Sequence, residues 1–133
     1  MWSQIIGHTQ QISQLKKGIS EKTLPHALLF CGVEGIGKKQ VALALAQTLN
    51  NSTKSFHPDC VLIEPTGKTI KIDVLRELKQ KATLHPLEGT AKIFIIDEAD
   101  KMTTAGANAL LKILEEPPAD TYLILITSRP SLI

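Results

Sequence analysis

The sequence predicts a doubly wound α/β domain, a parallel sheet sandwiched by helices. Three observations predict it. Four short apolar runs alternate along the chain with stretches of helical period. The runs are apolar at consecutive positions, so both faces of their sheet must be covered, as parallel sheets are. The first run passes through a glycine-rich turn into a helix, the connection that parallel strands need.

The elements follow in order. Ile12, Leu15 and Ile19 recur at i, i+3 and i+7, which makes His8 to Ser20 an amphipathic helix. Ala27-Leu28-Leu29-Phe30-Cys31, ended by Gly32, reads as a buried strand. Lys38 to Asn50 is rich in Ala and Leu, with Val41, Leu45 and Leu49 on one face of a helix. Val61-Leu62-Ile63 is the second strand, closed by Pro65, Thr66 and Gly67. Asp73 caps a helix that carries Leu75, Leu78 and Ala82 and stops before Pro86. Lys92-Ile93-Phe94-Ile95-Ile96 is the third strand, again buried. Thr103 or Thr104 caps a helix through Glu116, stopped by Pro117 and Pro118. Its Leu110, Leu111 and Leu114 are expected in the core. Gly106 within it costs up to ~1 kcal/mol relative to Ala, for which a tight helix contact is one reason. Tyr122-Leu123-Ile124-Leu125-Ile126 is the fourth strand.

At 133 residues the chain is expected to form one domain, residues 1–133. With 43% hydrophobic and 21% charged residues, it is neither disordered nor a disulfide scaffold. A formal charge of +2 is too mild to argue for nucleic acid by bulk electrostatics. The longest apolar run, Val41 to Ala46, is far short of the ~20 residues of a membrane span. Met1-Trp2-Ser3-Gln4 lacks the charged start of a signal peptide, so the cytoplasm is the expected compartment. Cys31 and Cys60 match no metal or redox spacing. No zinc is expected; two free thiols are the preferred reading, with a single disulfide as the alternative.

In doubly wound sheets ligands bind beyond the carboxyl ends of the strands, and three of the four strands end in polar chemistry. The first runs into Gly32-Val33-Glu34-Gly35-Ile36-Gly37-Lys38-Lys39, which is G-x-x-x-x-G-K with a strand before and a helix after. Glycines let successive N–H groups point into one concavity, the helix N-terminus adds positive potential, and Lys38 reaches the β and γ phosphates. Gly32, Gly35, Gly37, Lys38 and Lys39 are therefore candidate nucleotide-binding positions, for ATP or ADP. One position departs from the motif. Ser or Thr should follow the lysine, because that hydroxyl ligates Mg²⁺, and here Lys39 follows. Two like unit charges 4 Å apart repel by about 4 kcal/mol at an effective dielectric of 20. Phosphate binding is thus expected, while Mg²⁺ and the hydrolysis that depends on it are disfavoured.

The third strand ends in Asp97-Glu98-Ala99-Asp100. Asp97 at such a tip would hold a metal through water, and Glu98 would polarise the attacking water if the site turns over. The fourth strand ends at Thr127-Ser128-Arg129-Pro130, where the Thr127 hydroxyl could sense a γ-phosphate. A plain strand-end turn explains the same residues.

Together these strand ends resemble an AAA+ nucleotide-binding module. Asn108-Ala109-Leu110-Leu111-Lys112-Ile113-Leu114-Glu115-Glu116-Pro117-Pro118 resembles the N-A-L-L-K-x-L-E-E-P-P segment of bacterial clamp-loader subunits. His26-Ala27-Leu28-Leu29-Phe30 is similar to the same family's H-A-L-L-F. Ile5-Ile6-Gly7-His8 looks like its I-I-G-Q box, which implies that Ile6 and Gly7 lie against an adenine. His57-Pro58-Asp59 and Ile70-Lys71-Ile72-Asp73 resemble its linking segments. Lys39 and the absence of a four-cysteine module place the resemblance on the delta-prime branch rather than the gamma/tau motor branch.

That resemblance implies a stator of the DNA polymerase III clamp loader in DNA replication, with a degenerate ATP site and weak or absent ATPase activity of its own. Partners would be the delta and gamma/tau subunits, and through the assembly the sliding clamp and primed DNA; no membrane is involved. The alternative is an active AAA+ ATPase, either a gamma/tau-like motor or a helicase loader. The family's sheet has order 5-1-4-3-2 and is followed by a lid and a collar. Four strands are legible, so the chain is expected to be an N-terminal part truncated after the fourth strand, without lid or collar. The first strand then becomes an apolar edge, which implies self-association or cover by another segment. The family's arginine finger would lie beyond Ile133 and is not transferred to Arg129.

The remaining polar residues have plainer roles. His8, His26, His57 and His85 are scattered and read as surface or turn residues. Lys16, Lys17 and Lys22 read as a solvated face. Only two arginines occur, which disfavours dedicated DNA readout.

Overall fold

The computed structural model describes residues 14, 17–19, 26–31, 37–50, 59–82, 91–115 and 120–129. Four parallel strands form one sheet in the order β1-β4-β3-β2: β1 (Ala27–Cys31), β2 (Cys60–Ile63), β3 (Lys92–Ile96) and β4 (Thr121–Thr127). Among the described residues three helices connect them, α1 (Lys38–Leu49), α2 (Ile72–Ala82) and α3 (Thr104–Glu115), with a 3-10 turn at Ala99–Lys101. Residues 14 and 17–19 are helical, and the rest of the helix expected over 8–20 lies outside the described residues.

Alternation along the strands divides the core into two layers. Ile93, Ile95, Ile124 and Ile126 face α1 and pack with Ala42, Leu45 and Ala46. Phe94, Ile96, Leu123 and Leu125 face the other way and pack with Leu75, Leu78, Leu110 and Ile113 of α2 and α3. All five residues of β3 are buried, as a central strand covered on both faces requires. The predicted α/β sandwich is therefore the observed one.

Four local expectations need correction. β1, read as buried from its apolar run, is the edge strand that the family's order without a fifth strand implies, and its Ala27, Leu29 and Cys31 are exposed, Leu29 at 48%. Only its Leu28 and Phe30 face reaches the core beside α1. Leu111, expected in the core, is 53% exposed, because the buried row on α3 is Gly106, Leu110 and Ile113, and position 111 turns ~100° away from it. Asp73 does not cap α2. It lies within the first turn, exposed, 3.8 Å from Arg76. The disulfide alternative is excluded: Cys31 and Cys60 are free and lie on opposite edges of the sheet. Three inter-strand spacings separate those edges, ~14 Å, against the ~7 Å that a bridge tolerates.

Other expectations hold with added detail. Thr103 is the cap of α3, its Oγ1 accepting the Gly106 N–H at 3.1 Å. Gly106 is explained by packing: a Cβ there would lie 2.9 Å from Leu75 Cδ1 and 3.1 Å from Thr103 Oγ1. The amino-terminal end of the sheet is held by side chains that the sequence did not single out for this. Asn50 at the end of α1 accepts the Ala91 N–H on Oδ1 at 2.9 Å. Lys92, 8% exposed, donates its ammonium to the Lys81 carbonyl in the last turn of α2, where the helix dipole favours a cation. The His26 ring meets the Thr121 carbonyl through Nδ1 at 2.7 Å and stacks on Tyr122. Only a protonated Nδ1 can donate to a carbonyl, so the contact fixes the proton there.

Candidate functional site

A parallel sheet puts every carboxyl end on one side, and the three polar strand ends duly converge. Cys31, the last residue of β1, pairs with Thr127, the last of β4. From β1 the chain passes to Gly37, which adopts φ +83° immediately before α1. That left-handed backbone is strained for any side chain, so the glycine is required by conformation; a Cβ there would meet Gln40 Oε1 at 3.5 Å, an ordinary contact. Lys38 opens α1 and donates its Nζ to the Thr127 carbonyl at 3.3 Å. The Asp97 N–H donates to the Ile63 carbonyl at 2.9 Å, which fixes the end of β3 against the end of β2.

Lys38 and Lys39 are successive helical residues and diverge by ~100°. Lys38 reaches the tip of β4. Lys39 reaches Glu64, just past β2, with Nζ 3.5 Å from Oε2 and both side chains about half exposed. In the order β4-β3-β2 the strand between them is β3, so Asp97 lies between the two anchoring points. Its Oδ1 accepts the Glu98 N–H at 2.9 Å.

The other predicted catalytic groups are engaged. Glu98 has φ +49° and its Oε1 accepts a hydrogen bond from the Lys101 ammonium at 2.7 Å. An oxygen expected to polarise water thus already carries a cation. Thr127 is 1% exposed; its hydroxyl donates to Asp100 Oδ1 at 2.7 Å and accepts the Arg129 N–H at 2.9 Å. While that bond holds, its one proton is unavailable to a phosphate. Ile6, Gly7, Gly32 and Gly35 lie outside the described residues. Glu64, Asp100 and Lys101 are the polar residues that the sequence reading did not assign. Asp100 stood in the quoted acidic run, but nothing there tied it to Thr127, and no local signal marked Glu64.

A P-loop site that uses Mg²⁺ anchors it through the hydroxyl after the lysine and a strand-end acid. Asp97 stands in the second place. An ammonium, with three donors and no lone pair, stands in the first. It would repel a divalent ion 4 Å away by about 8 kcal/mol at an effective dielectric of 20. The residues present do not fit Mg²⁺. Among the described residues no group of three or more His, Cys, Asp and Glu side chains could hold a metal ion. No described helix is long and apolar enough to cross a membrane.

Comparison with known proteins shows the family and the fold. The family model described as DNA polymerase III, delta subunit matches residues 7–133. The DNA polymerase III subunit delta' of Bacillus subtilis is 36% identical over 132 residues, covering 87% of this chain and 40% of that protein. The structure of a gamma subunit-related protein of DNA polymerase III from Thermotoga maritima matches with a TM-score of 0.79 and 32% identity, over 92% of this chain and 41% of that one. The P-loop NTPase domain of an Escherichia coli sigma-54 activator shares the fold alone, with a TM-score of 0.52 at 17% identity, over 92% of this chain and 78% of that one. The chain therefore spans 40% of the length of the delta' relative it matches.

Proposed function

This chain belongs to the DNA polymerase III delta-subunit family and has its P-loop AAA+ fold, and on that premise we propose a clamp-loader stator of the delta-prime kind. It takes its place beside delta and gamma/tau subunits, and the assembly places the sliding clamp on primed DNA. Its nucleotide site is degenerate: it holds ATP or ADP weakly and does not hydrolyse it. One observation carries this reading, the Lys39 ammonium at the Ser/Thr position, paired with Glu64 at 3.5 Å. The pairing of Glu98 with Lys101 supports it, because the water-activating position is also engaged.

The test is ATP turnover by the full-length protein with and without Mg²⁺, beside Lys39→Thr. The expected result is background turnover by the unmodified protein, together with clamp loading when it is mixed with partner subunits. Mg²⁺-dependent turnover by the unmodified protein would establish the second reading, an active gamma/tau-like motor or helicase loader. Asp97 at the tip of β3 and the 32% identity to the gamma subunit-related protein favour that second reading.

A further inference from the structure

We infer that this sheet end takes a nucleoside triphosphate free of divalent cation, with Lys39 as the built-in counter-charge. The inference rests on the nucleotide-site reading above and adds how the charge of the phosphates is met. A triphosphate brings three to four negative charges, which P-loop proteins share between the loop lysine and Mg²⁺. Here the end of β3, which carries Asp97, lies between the anchoring points of two lysines, one at β4 and one at the end of β2. The Asp97 Oδ1 accepts the Glu98 N–H at 2.9 Å, and the positive charge at this sheet end comes from Lys38 and Lys39.

Lys39 is also mobile in the sense that matters. Its partner Glu64 is 3.5 Å away, and both side chains are about half exposed, the kind of pair that is easily exchanged. A phosphate oxygen is a stronger acceptor for an ammonium than a solvated carboxylate at that distance. Nucleotide arrival then transfers Lys39 from Glu64 to the phosphates. Magnesium opposes the transfer, because it places a divalent charge on the same oxygens.

The experiment is equilibrium binding of a fluorescent ATP analogue to the full-length protein, in excess Mg²⁺ and in excess EDTA. Binding in EDTA should equal or exceed binding in Mg²⁺. Lys39→Thr should weaken binding in EDTA by about tenfold and make Mg²⁺ strengthen it. Glu64→Gln releases Lys39 and should tighten binding in EDTA about two- to fivefold, a gain that misfolding cannot produce. Binding by the unmodified protein that requires Mg²⁺, no binding in either buffer, or a Lys39→Thr protein with unchanged affinity in EDTA would each overturn the inference. The two readings fail separately: the stator is sunk by Mg²⁺-dependent turnover, this inference by Mg²⁺-dependent binding without turnover.

Discussion

Burial pushes the Cys60 thiol up to about 11, because the thiolate cannot be solvated at the head of β2. The folded state therefore holds that proton more tightly than the unfolded chain does. Its contribution to stability is complete below the unfolded value of 9.0 and is lost as pH rises towards about 11. Urea midpoints measured across that interval should fall for the unmodified protein and fall less for Cys60→Ala. Equal slopes would show that the thiol is better solvated than its position implies. At this scale the sequence was most readable where chemistry is local. Lys39 was identified as a departure because the motif fixes its neighbours. Its pairing with Glu64, and that of Thr127 with Asp100, join residues 25 and 27 positions apart, and only the folded sheet brings them together.

Among the elements, α3 shows what periodicity can and cannot decide. The run Leu110-Leu111-Lys112-Ile113-Leu114 is apolar at four of five positions, so the apolar stripe is too wide to point. Packing against α2 chooses Gly106, Leu110 and Ile113 and turns Leu111 to the outside. The price of Gly106 in helix propensity follows from the same contact. Alanine there would regain up to ~1 kcal/mol of propensity but overpack Leu75, a cost of about 1–3 kcal/mol. Gly106→Ala should therefore be neutral to destabilising by ~2 kcal/mol in denaturant melts. Combining it with Leu75→Val, which trims the clashing side chain, should cost less than the sum of the two single changes. Strict additivity would mean that the helices can simply move apart. The four strands were legible for a complementary reason: each is a short apolar run closed by a glycine, a proline or a charge. The edge position of β1 followed from the family's strand order and not from its own residues.

For the whole molecule, the sheet separates two kinds of work by its two ends. The amino-terminal end carries ties such as His26 to Thr121, Asn50 to Ala91 and Lys92 to Lys81. The carboxyl end carries Lys38, Lys39, Asp97 and Thr127. His26→Ala removes a hydrogen bond and a stacked ring, so it should lower stability by about 1 kcal/mol. Nucleotide affinity should be unchanged, because the lost contact lies at the far end of the strands. A parallel loss of affinity and stability would show that the ends are coupled through β1 and β4. The two cysteines observe the same division. Cys31 stands exposed at the last position of β1, one strand across from Thr127, whereas Cys60 begins β2 half-buried and reluctant to ionise. A maleimide dye at neutral pH would therefore attach at the carboxyl end of β1 alone, which furnishes a single-site optical reporter of the proposed nucleotide end of the sheet.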